Sequence, residues 1–559
     1  MKNIYLAFAQ TRKEILFIKK KINKQKKELI WVPVNLETLL CYKENNMSFI
    51  NPLNYLNNKI HKEGVNGSEK MIKKFKFNQD LEFFLRNRYI GIQRKFFNSC
   101  FYIDEILKAI KKKYFIKEIF VSGWMNYSFE VPSNNYFLSQ ILINSSFQKK
   151  ITILNNIKKI DKKKIYNFKI TTLNFKHKNF ILISNLGYNF KRIVFDLFDK
   201  YIKVVTFNQE NLPWYKNFAY KILGVRIVKI KKFTSNKKID INIPKIKFKF
   251  KDKDYSNLIE LRKKEILGEL QELKNLSLII KNFLKKNKPR IVLLNALRGI
   301  NGYLAEYSKK FDIPCLHISH GTLSYSKNKY FNSYNKVLSE ELTTKKNGIF
   351  CIQSKIAKKF ADHYRKNSTN IVTGNLIFNK SEGRNEDNIL YAVTNRGFDS
   401  MHFFGIEMFY EYFQNLVFLN NFAKSLKNKK IYVKPHPTEF KNIPYLKKIF
   451  RNLTFTAQKN EILFKKIAVT ISYSSTIIED SLNSKIPVIL FDQWKRYQHC
   501  DSEKNLYKKN SAIYYVRNPK NLEKCLQTVE KSNNFNFHKF IYTKKETKNF
   551  ENLINNLSI

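Results

Sequence analysis

The segment Val469–Phe491 reads VTISYSSTIIEDSLNSKIPVILF. Its start continues an apolar, β-branched run, Ala468–Ile471, that ends in the hydroxyl cluster Ser472, Tyr473, Ser474 and Ser475. A helical pattern begins near Thr476, and a second apolar strand follows at Pro487–Phe491. Parallel strands need a crossover between them, so strand, helix, strand in one short segment is the building unit of a parallel sheet. The same rhythm recurs over most of the chain. One series of candidate strands is Ile4–Phe8, Leu29–Val34, Ile119–Val121, Phe180–Ser184, Ile202–Phe207, Arg290–Leu294 and Pro314–Ile318. A second is Gly348–Ile352, Asn370–Thr373, Ile389–Val393, Lys430–Val433, Ala468–Ile471 and Pro487–Phe491. Amphipathic helical patterns fill the gaps, notably Leu258–Leu284 and Phe403–Lys424. The expected class is α/β, with two Rossmann-like parallel-sheet domains facing a central cleft and ligands at the carboxyl ends of the strands.

The polar, turn-rich stretch around Phe378–Asn388 marks a boundary. Residues 1–380 form a large basic N-terminal α/β domain on the acceptor side, and residues 381–532 a C-terminal Rossmann-like, nucleotide-binding domain. The pattern over 533–559 predicts a C-terminal helix that packs back on the N-terminal domain.

The chain has 559 residues, 103 Lys+Arg against 45 Asp+Glu, and a formal charge of +58. Its 43% hydrophobic and 15% aromatic content excludes a disordered basic tail, which could not bury a core. Such a charge attracts polyanions: nucleic acid, anionic lipid or nucleotide-linked substrates. In Lys245–Lys253 the lysines alternate with Ile246, Phe248 and Phe250, the pattern of a charge-protected edge strand or of a surface resting on a membrane. We expect the edge strand. Six cysteines lack CxxC spacing, which argues against a disulfide framework or zinc site and fits a reducing cytoplasm. The N-terminal apolar run is too short for a signal peptide, and no stretch is long enough to span a bilayer. The expected location is cytoplasmic, with any membrane contact peripheral.

Three constellations carry chemistry. In Asn287–Tyr325, a strand leads into a loop opening with His320, Gly321 and Thr322. His320 sits where an α/β fold places catalytic groups, and Gly321 lets backbone approach a ligand; a loop histidine bonded to backbone is the plainer reading. His317, inside the strand, reads as packed. In IYVKPHPTE, an apolar strand ends in Lys434, Pro435, His436 and Pro437. The flanking prolines fix where the imidazole points, as expected of a phosphate or nucleobase ligand, although a tight turn with an exposed His has the same sequence. In YSST, Ser474, Ser475 and Thr476 open a helix whose free N–H groups suit an anion. Glu479, three residues after Thr476, fits either a capping box or a bond to a ribose hydroxyl. A second anion loop is Thr394–Ser400, with Arg396 for charge and Gly397 for flexibility. No metal-ligand motif is present.

The order and spacing of these motifs resemble GT-B glycosyltransferases that build bacterial surface polysaccharides. His436–Pro437 and Ser474–Ser475 look like the HP and SS motifs of bacterial sialyltransferases, polysialyltransferases and capsular Kdo transferases. SHGTLSYSK (Ser319–Lys327) and the YSS segment look similar to CDP-glycerol glycerophosphotransferases. The resemblance covers roughly Lys288–Trp494. It implies a metal-independent transferase without a cofactor, using a CMP-, CDP- or UDP-linked donor. It implies that His436 contacts the nucleotide, Ser474 and Ser475 its phosphates, Glu479 its ribose, and that His320 is the base. No acidic-acidic-glycine base motif is found; Asp104 and Glu105 are followed by Ile106.

The expected function is transfer of a sugar, sialic acid- or Kdo-like, or of a polyol phosphate, to an anionic or lipid-linked glycan acceptor in capsule, lipopolysaccharide or O-antigen assembly. The basic N-terminal half would face that acceptor or the inner membrane leaflet. Two alternatives differ in class. A nucleotide-sugar 2-epimerase of the same fold would carry a glycine pair after the phosphate-loop serine, where this chain has Ser475 and Thr476. A nucleic-acid-binding protein would need exposed aromatics on a basic face, whereas most aromatics here fall in apolar strand and helix patterns.

Overall fold

The computed structural model describes the chain apart from residues 23–28, 78–80, 124–136, 155–165, 172–178, 185–189, 191–192, 194–203, 209–213, 223, 235–240, 320–322, 330, 334, 337–342, 344–347, 379–385, 401–402, 404, 406, 427 and 557–559. Among the described residues, three parallel or largely parallel β-sheets of four or more strands organise it. The first holds β1 (Lys2–Phe8), β2 (Leu29–Val32), β3 (Tyr114–Val121) and β4 (Ile151–Ile153), all parallel, in the order β2-β1-β3-β4.

The second sheet contains β5 (Tyr166–Ile170), β6 (Ile181–Ile183), β7 (Val204–Asn208) and β8 (Val225–Thr234). A short hairpin of β9 (Lys249–Phe250) and β10 (Lys253–Asp254) stands apart from it. The second sheet then gains β11 (Ile291–Leu294), β12 (Cys315–His317), β13 (Ile349–Ile352) and β14 (Asn370–Val372). Its order is β14-β13-β12-β11-β6-β7-β8-β5, parallel except where β5 meets β8. The third sheet holds β15 (Asn388–Tyr391), β16 (Ile431–Val433), β17 (Thr454–Phe455), β18 (Ile467–Ser472), β19 (Val488–Phe491) and β20 (Ile513–Val516). Its order is β17-β16-β15-β18-β19-β20.

Counted from β15, the third sheet runs 3-2-1-4-5-6, the doubly wound Rossmann order. The second repeats it from β6, as 3-2-1-4-5-6-7, with β5 added at the far edge. The fold class is therefore α/β with Rossmann-like parallel-sheet units. Each unit has a switch point where strand order reverses: between β6 and β11 in one, and between β15 and β18 in the other. In the latter, Ile389 pairs with both Ile431 and Val469, so these carboxyl ends open side by side.

The remaining elements lock the units together. Helix Lys544–Asn556 lays Phe550 and Ile554 into the core of the second sheet beside Ile181 and Ile291. The first unit shares one apolar core with the third, through residues such as Leu39, Leu40, Tyr410 and Leu446. Lys245–Lys253 forms strand only at its end, where Lys249–Phe250 pairs with Lys253–Asp254 in the short hairpin; residues 245–248 join no sheet. Ile246 and Phe248 are buried, Phe248 lies 5.6 Å from Phe97, and the lysines at 245, 247 and 249 face solvent. Phe248 and Phe250 pack their rings against Phe97 of the aromatic helix Phe83–Lys111, so burial fixes the segment and sheet pairing is confined to the hairpin. The helix expected from Phe403 starts at Phe409, because Gly405 (φ 93°) and Glu407 (φ 58°) adopt left-handed conformations that interrupt it.

Candidate functional site

The switch point of the third sheet brings three of the motifs to one place. Thr394, after β15, meets Tyr473 and Ser474, after β18: Thr394 N donates to the Ser474 carbonyl at 3.4 Å, and the Tyr473 hydroxyl donates to the Thr394 carbonyl at 3.3 Å. His436 follows β16 on the adjacent strand. Extended backbone at His436 (φ −59°, ψ 146°) and Pro437 at the first position of a 3-10 turn hold the ring in place.

His436 Nδ1 lies 2.8 Å from the Thr438 hydroxyl and 3.4 Å from the Thr438 amide, both of which can donate to it. That arrangement leaves the proton on Nε2, which then faces outward as a donor. The ring edge is exposed, yet the surrounding wall and, secondarily, the Arg396 guanidinium push its pKa down. A neutral Nε2–H at pH 7 follows. Half-buried Glu439, in the same turn, is pushed up to about 7, chiefly by burial and further by Asp399 and Glu37. The sequence reading passed over Glu439, whose only signal is its place in the HPTE run.

Ser474 is buried and donates to the Glu407 carboxylate, whose other oxygen accepts from Arg396 Nε at 3.1 Å. Glu407 is itself a left-handed residue, and its amide donates to the Tyr497 hydroxyl at 2.7 Å. Tyr497 stacks on Tyr473 with centroids 4.5 Å apart, and its hydroxyl donates to Glu411. Arg396 and Ser474 thus form a buttress behind the loop. Ser475 and Thr476 are more open. Ser475 Oγ accepts from Ile477 N at 3.3 Å, while the Thr476 side chain makes no capping bond.

Glu479 is not an N-terminal cap. It is 1% exposed, and it accepts a hydrogen bond from the Ser354 hydroxyl in the second unit. It lines a narrow recess with Ser319, Gln353, Cys351 and Phe378. Gln353 Nε2 donates to the Ser319 carbonyl at 3.1 Å, anchoring the root of the next loop. That loop carries His320, Gly321 and Thr322, which lie outside the described residues. His317 is packed against Phe350, centroids 5.8 Å apart, as the strand pattern implied.

Lys434 turns away from the switch point. Its ammonium donates to the Gln458 carbonyl at 2.8 Å and to Asn460, and burial lowers its pKa. Gly397 is pressed against the first unit, where a Cβ would lie 2.5 Å from Asn35 Cβ and 2.9 Å from the Val34 carbonyl. Asn35 donates to Asp399 at 2.9 Å, and Phe398 N to Val34 O at 2.8 Å. The Thr394–Ser400 loop is therefore clamped by the first unit. Asp104 is also structural, accepting from the Ser146 amide at 2.8 Å and its hydroxyl at 2.9 Å.

Further polar bonds close the floor between the second and third units. Asn375 donates to Asn483 at 2.9 Å, and Asn328 to the Lys495 carbonyl at 2.9 Å. The loop after β19 is organised by buried Asp492, which accepts from the Trp494 and Tyr497 amides and the Tyr515 hydroxyl. No sequence motif announced Glu407, Asp492 or Arg496. The six cysteines are buried, and burial raises their thiols. Among the described residues no group of three His, Cys, Asp or Glu side chains could hold a metal ion.

No protein-family model matches the chain, and no curated protein matches it in sequence. Solved structures similar to it include a UDP-GlcNAc 2-epimerase from Neisseria meningitidis bound to UDP-GlcNAc, at 13% identity and a TM-score of 0.40, covering 68% of this chain and 100% of that one. Another is the UDP-GlcNAc 2-epimerase of Methanocaldococcus jannaschii, at 14% identity and a TM-score of 0.38, covering 67% and 99%. A third is HepE of Anabaena in complex with UDP, at 8% identity and a TM-score of 0.35, covering 68% and 100%.

Proposed function

We propose that the chain is a metal-independent transferase that moves a sugar or polyol phosphate from a nucleotide-activated donor to a surface-glycan acceptor. One observation carries the reading. Glu479, behind the YSST turn of the third unit, and Ser319, at the root of the HGT loop of the second, line a single recess between two Rossmann-like sheets. A donor held at the β15–β18 switch point would therefore lie on the side of Ser319, the residue that precedes the HGT motif.

In this account His436 donates Nε2–H to a donor phosphate oxygen, and the hydroxyls and amides of Ser475 and Thr476 take the others. These groups stabilise negative charge as it grows on the departing nucleotide. Ser474, Arg396 and Glu407 hold that loop rigid. Lys434, bonded to Gln458 and Asn460, contributes positive potential from behind, while Glu479, whose buried carboxylate holds the Ser354 hydroxyl, would meet a ribose hydroxyl by the resemblance of its motif alone. His320, by the resemblance in its motif, deprotonates the acceptor hydroxyl.

The test is incubation of the chain with CMP-, CDP- and UDP-linked donors, with and without bacterial glycan acceptors. Acceptor-dependent release of the free nucleotide supports the transferase. Conversion of UDP-GlcNAc to its free 2-epimer without any acceptor identifies an epimerase instead.

A further inference from the structure

Helix Trp214–Ile222 lies between β7 and β8. Tyr220 anchors it in the core of the second unit, beside Phe190, Val225 and Ile291. At about 100° per residue, Trp214, Phe218, Ile222 and Tyr215 share roughly a 100° arc, well away from Tyr220. All four are open to solvent: 78%, 60%, 70% and 54% exposed respectively. Elsewhere among the described residues, exposed large apolar groups such as Leu16, Ile462 and Tyr507 stand singly in the sequence. A continuous stripe of this kind marks an interaction surface.

Charge selects its partner. From Trp214 to Thr234, the span of this helix and β8, the sequence has six Lys and Arg and no Asp or Glu. Lys221 on the helix, and Arg226 and Lys231 on β8, are exposed; Lys232 beside them pairs with Glu272 at 3.7 Å. We propose that this helix and the basic strand beside it form a docking surface for an anionic lipid bilayer. The stripe enters the headgroup–acyl boundary, where tryptophan and tyrosine are at home, while the cations meet lipid phosphates. A second copy of this chain suits the surface poorly, because it would bring another net +58 against it.

The topology gives the contact a purpose. The helix follows the carboxyl end of β7, so Trp214 stands on the sheet edge where the carboxyl ends of β6, β11 and β12 open. Docking there would present that edge to the membrane, as a lipid-linked acceptor requires. This last link rests on the transferase reading; the docking itself does not.

The test is flotation of the full chain with vesicles of phosphatidylcholine alone or with 30% phosphatidylglycerol (roughly one anionic lipid in three). Binding is expected only to the anionic vesicles, falling at least about tenfold in the variant carrying Trp214→Ser, Phe218→Ser and Ile222→Ser. Its thermal midpoint, read in parallel, should match wild type because these side chains touch little of the protein. Brominated lipid should also quench wild-type tryptophan fluorescence more than that of Trp214→Phe, a readout independent of the triple variant's folding. Equal flotation by the folded triple variant, equal quenching, or no binding to anionic vesicles would each overturn the proposal. So would concentration-dependent self-association, or capture of an acidic protein without vesicle binding, abolished by the same changes. Retained nucleotide release with lost flotation separates this surface from the transfer site.

Discussion

The Ser354 hydroxyl donates to the Glu479 carboxylate, joining the second unit to the third behind the YSST turn. The same hydroxyl caps its own helix, accepting from Ala357 N at 3.0 Å. Ser354→Ala should therefore lower stability by about 1–3 kcal/mol, combining a lost cap with an orphaned buried acceptor. Glu479→Gln keeps an acceptor there and should cost less, while weakening nucleotide binding if a ribose hydroxyl needs the charge. Urea midpoints and nucleotide titrations of the two variants check both halves.

Gly397 meets Asn35 across the first and third units. Gly397→Ala should destabilise by about 1–3 kcal/mol, because the added methyl would overlap the Asn35 side chain and backbone oxygen of Val34. Faster proteolysis between the first unit and the remainder is the expected signature. Unchanged stability and protease resistance would show that the clamp is loose.

Arg496 pairs with Glu411 in the core between the same units, and donates to Asn58 at 2.5 Å. Arg496→Ala should cost about 3–5 kcal/mol by leaving a buried carboxylate without its cation. Pairing it with Glu411→Gln should recover part of that loss, as a double-mutant cycle would report.

His499 is buried against Phe331, and burial pushes its pKa down to about 3. On acidification the unfolded chain takes up this proton first. The stability His499 permits is thus full above about pH 6.5 and declines by up to about 1.4 kcal/mol per unit as pH falls toward 3. Buried His61 acts in the same direction. Glu439 and Glu265, raised to about 7 and about 6, act oppositely, losing stability as pH rises. The clean measurement is a difference: from pH 7.5 to 5.5, wild type should lose roughly 1.4 kcal/mol more than His499→Gln. Parallel pH profiles would contradict the buried, neutral assignment.

Strand positions were largely legible because short β-branched runs between helices leave few other readings. Pro487–Phe491 became Val488–Phe491, and Pro314–Ile318 became Cys315–His317. β8, where lysines alternate with apolar residues, is absent from the strands expected above, and so is helix Phe83–Lys111, which has no side-chain cap and is buried along much of its length. At the site, the clustering of YSST, TNRG and HP followed from strand order. The partners of Glu479 and Ser474 did not. Capping-box spacing is a local signal, whereas Glu479 meets a residue 125 positions away and Ser474 one 67 positions away. Only tertiary packing sets such pairs.

The most direct test of nucleotide-donor binding is the thermal midpoint of the full chain with CMP, CDP, UDP and GDP, in wild type and His436→Ala. At least one nucleotide at saturating concentration should raise the wild-type midpoint by about 2–5 °C, and His436→Ala should lose that rise. No rise with any of the four, or an undiminished rise in His436→Ala, would contradict the account.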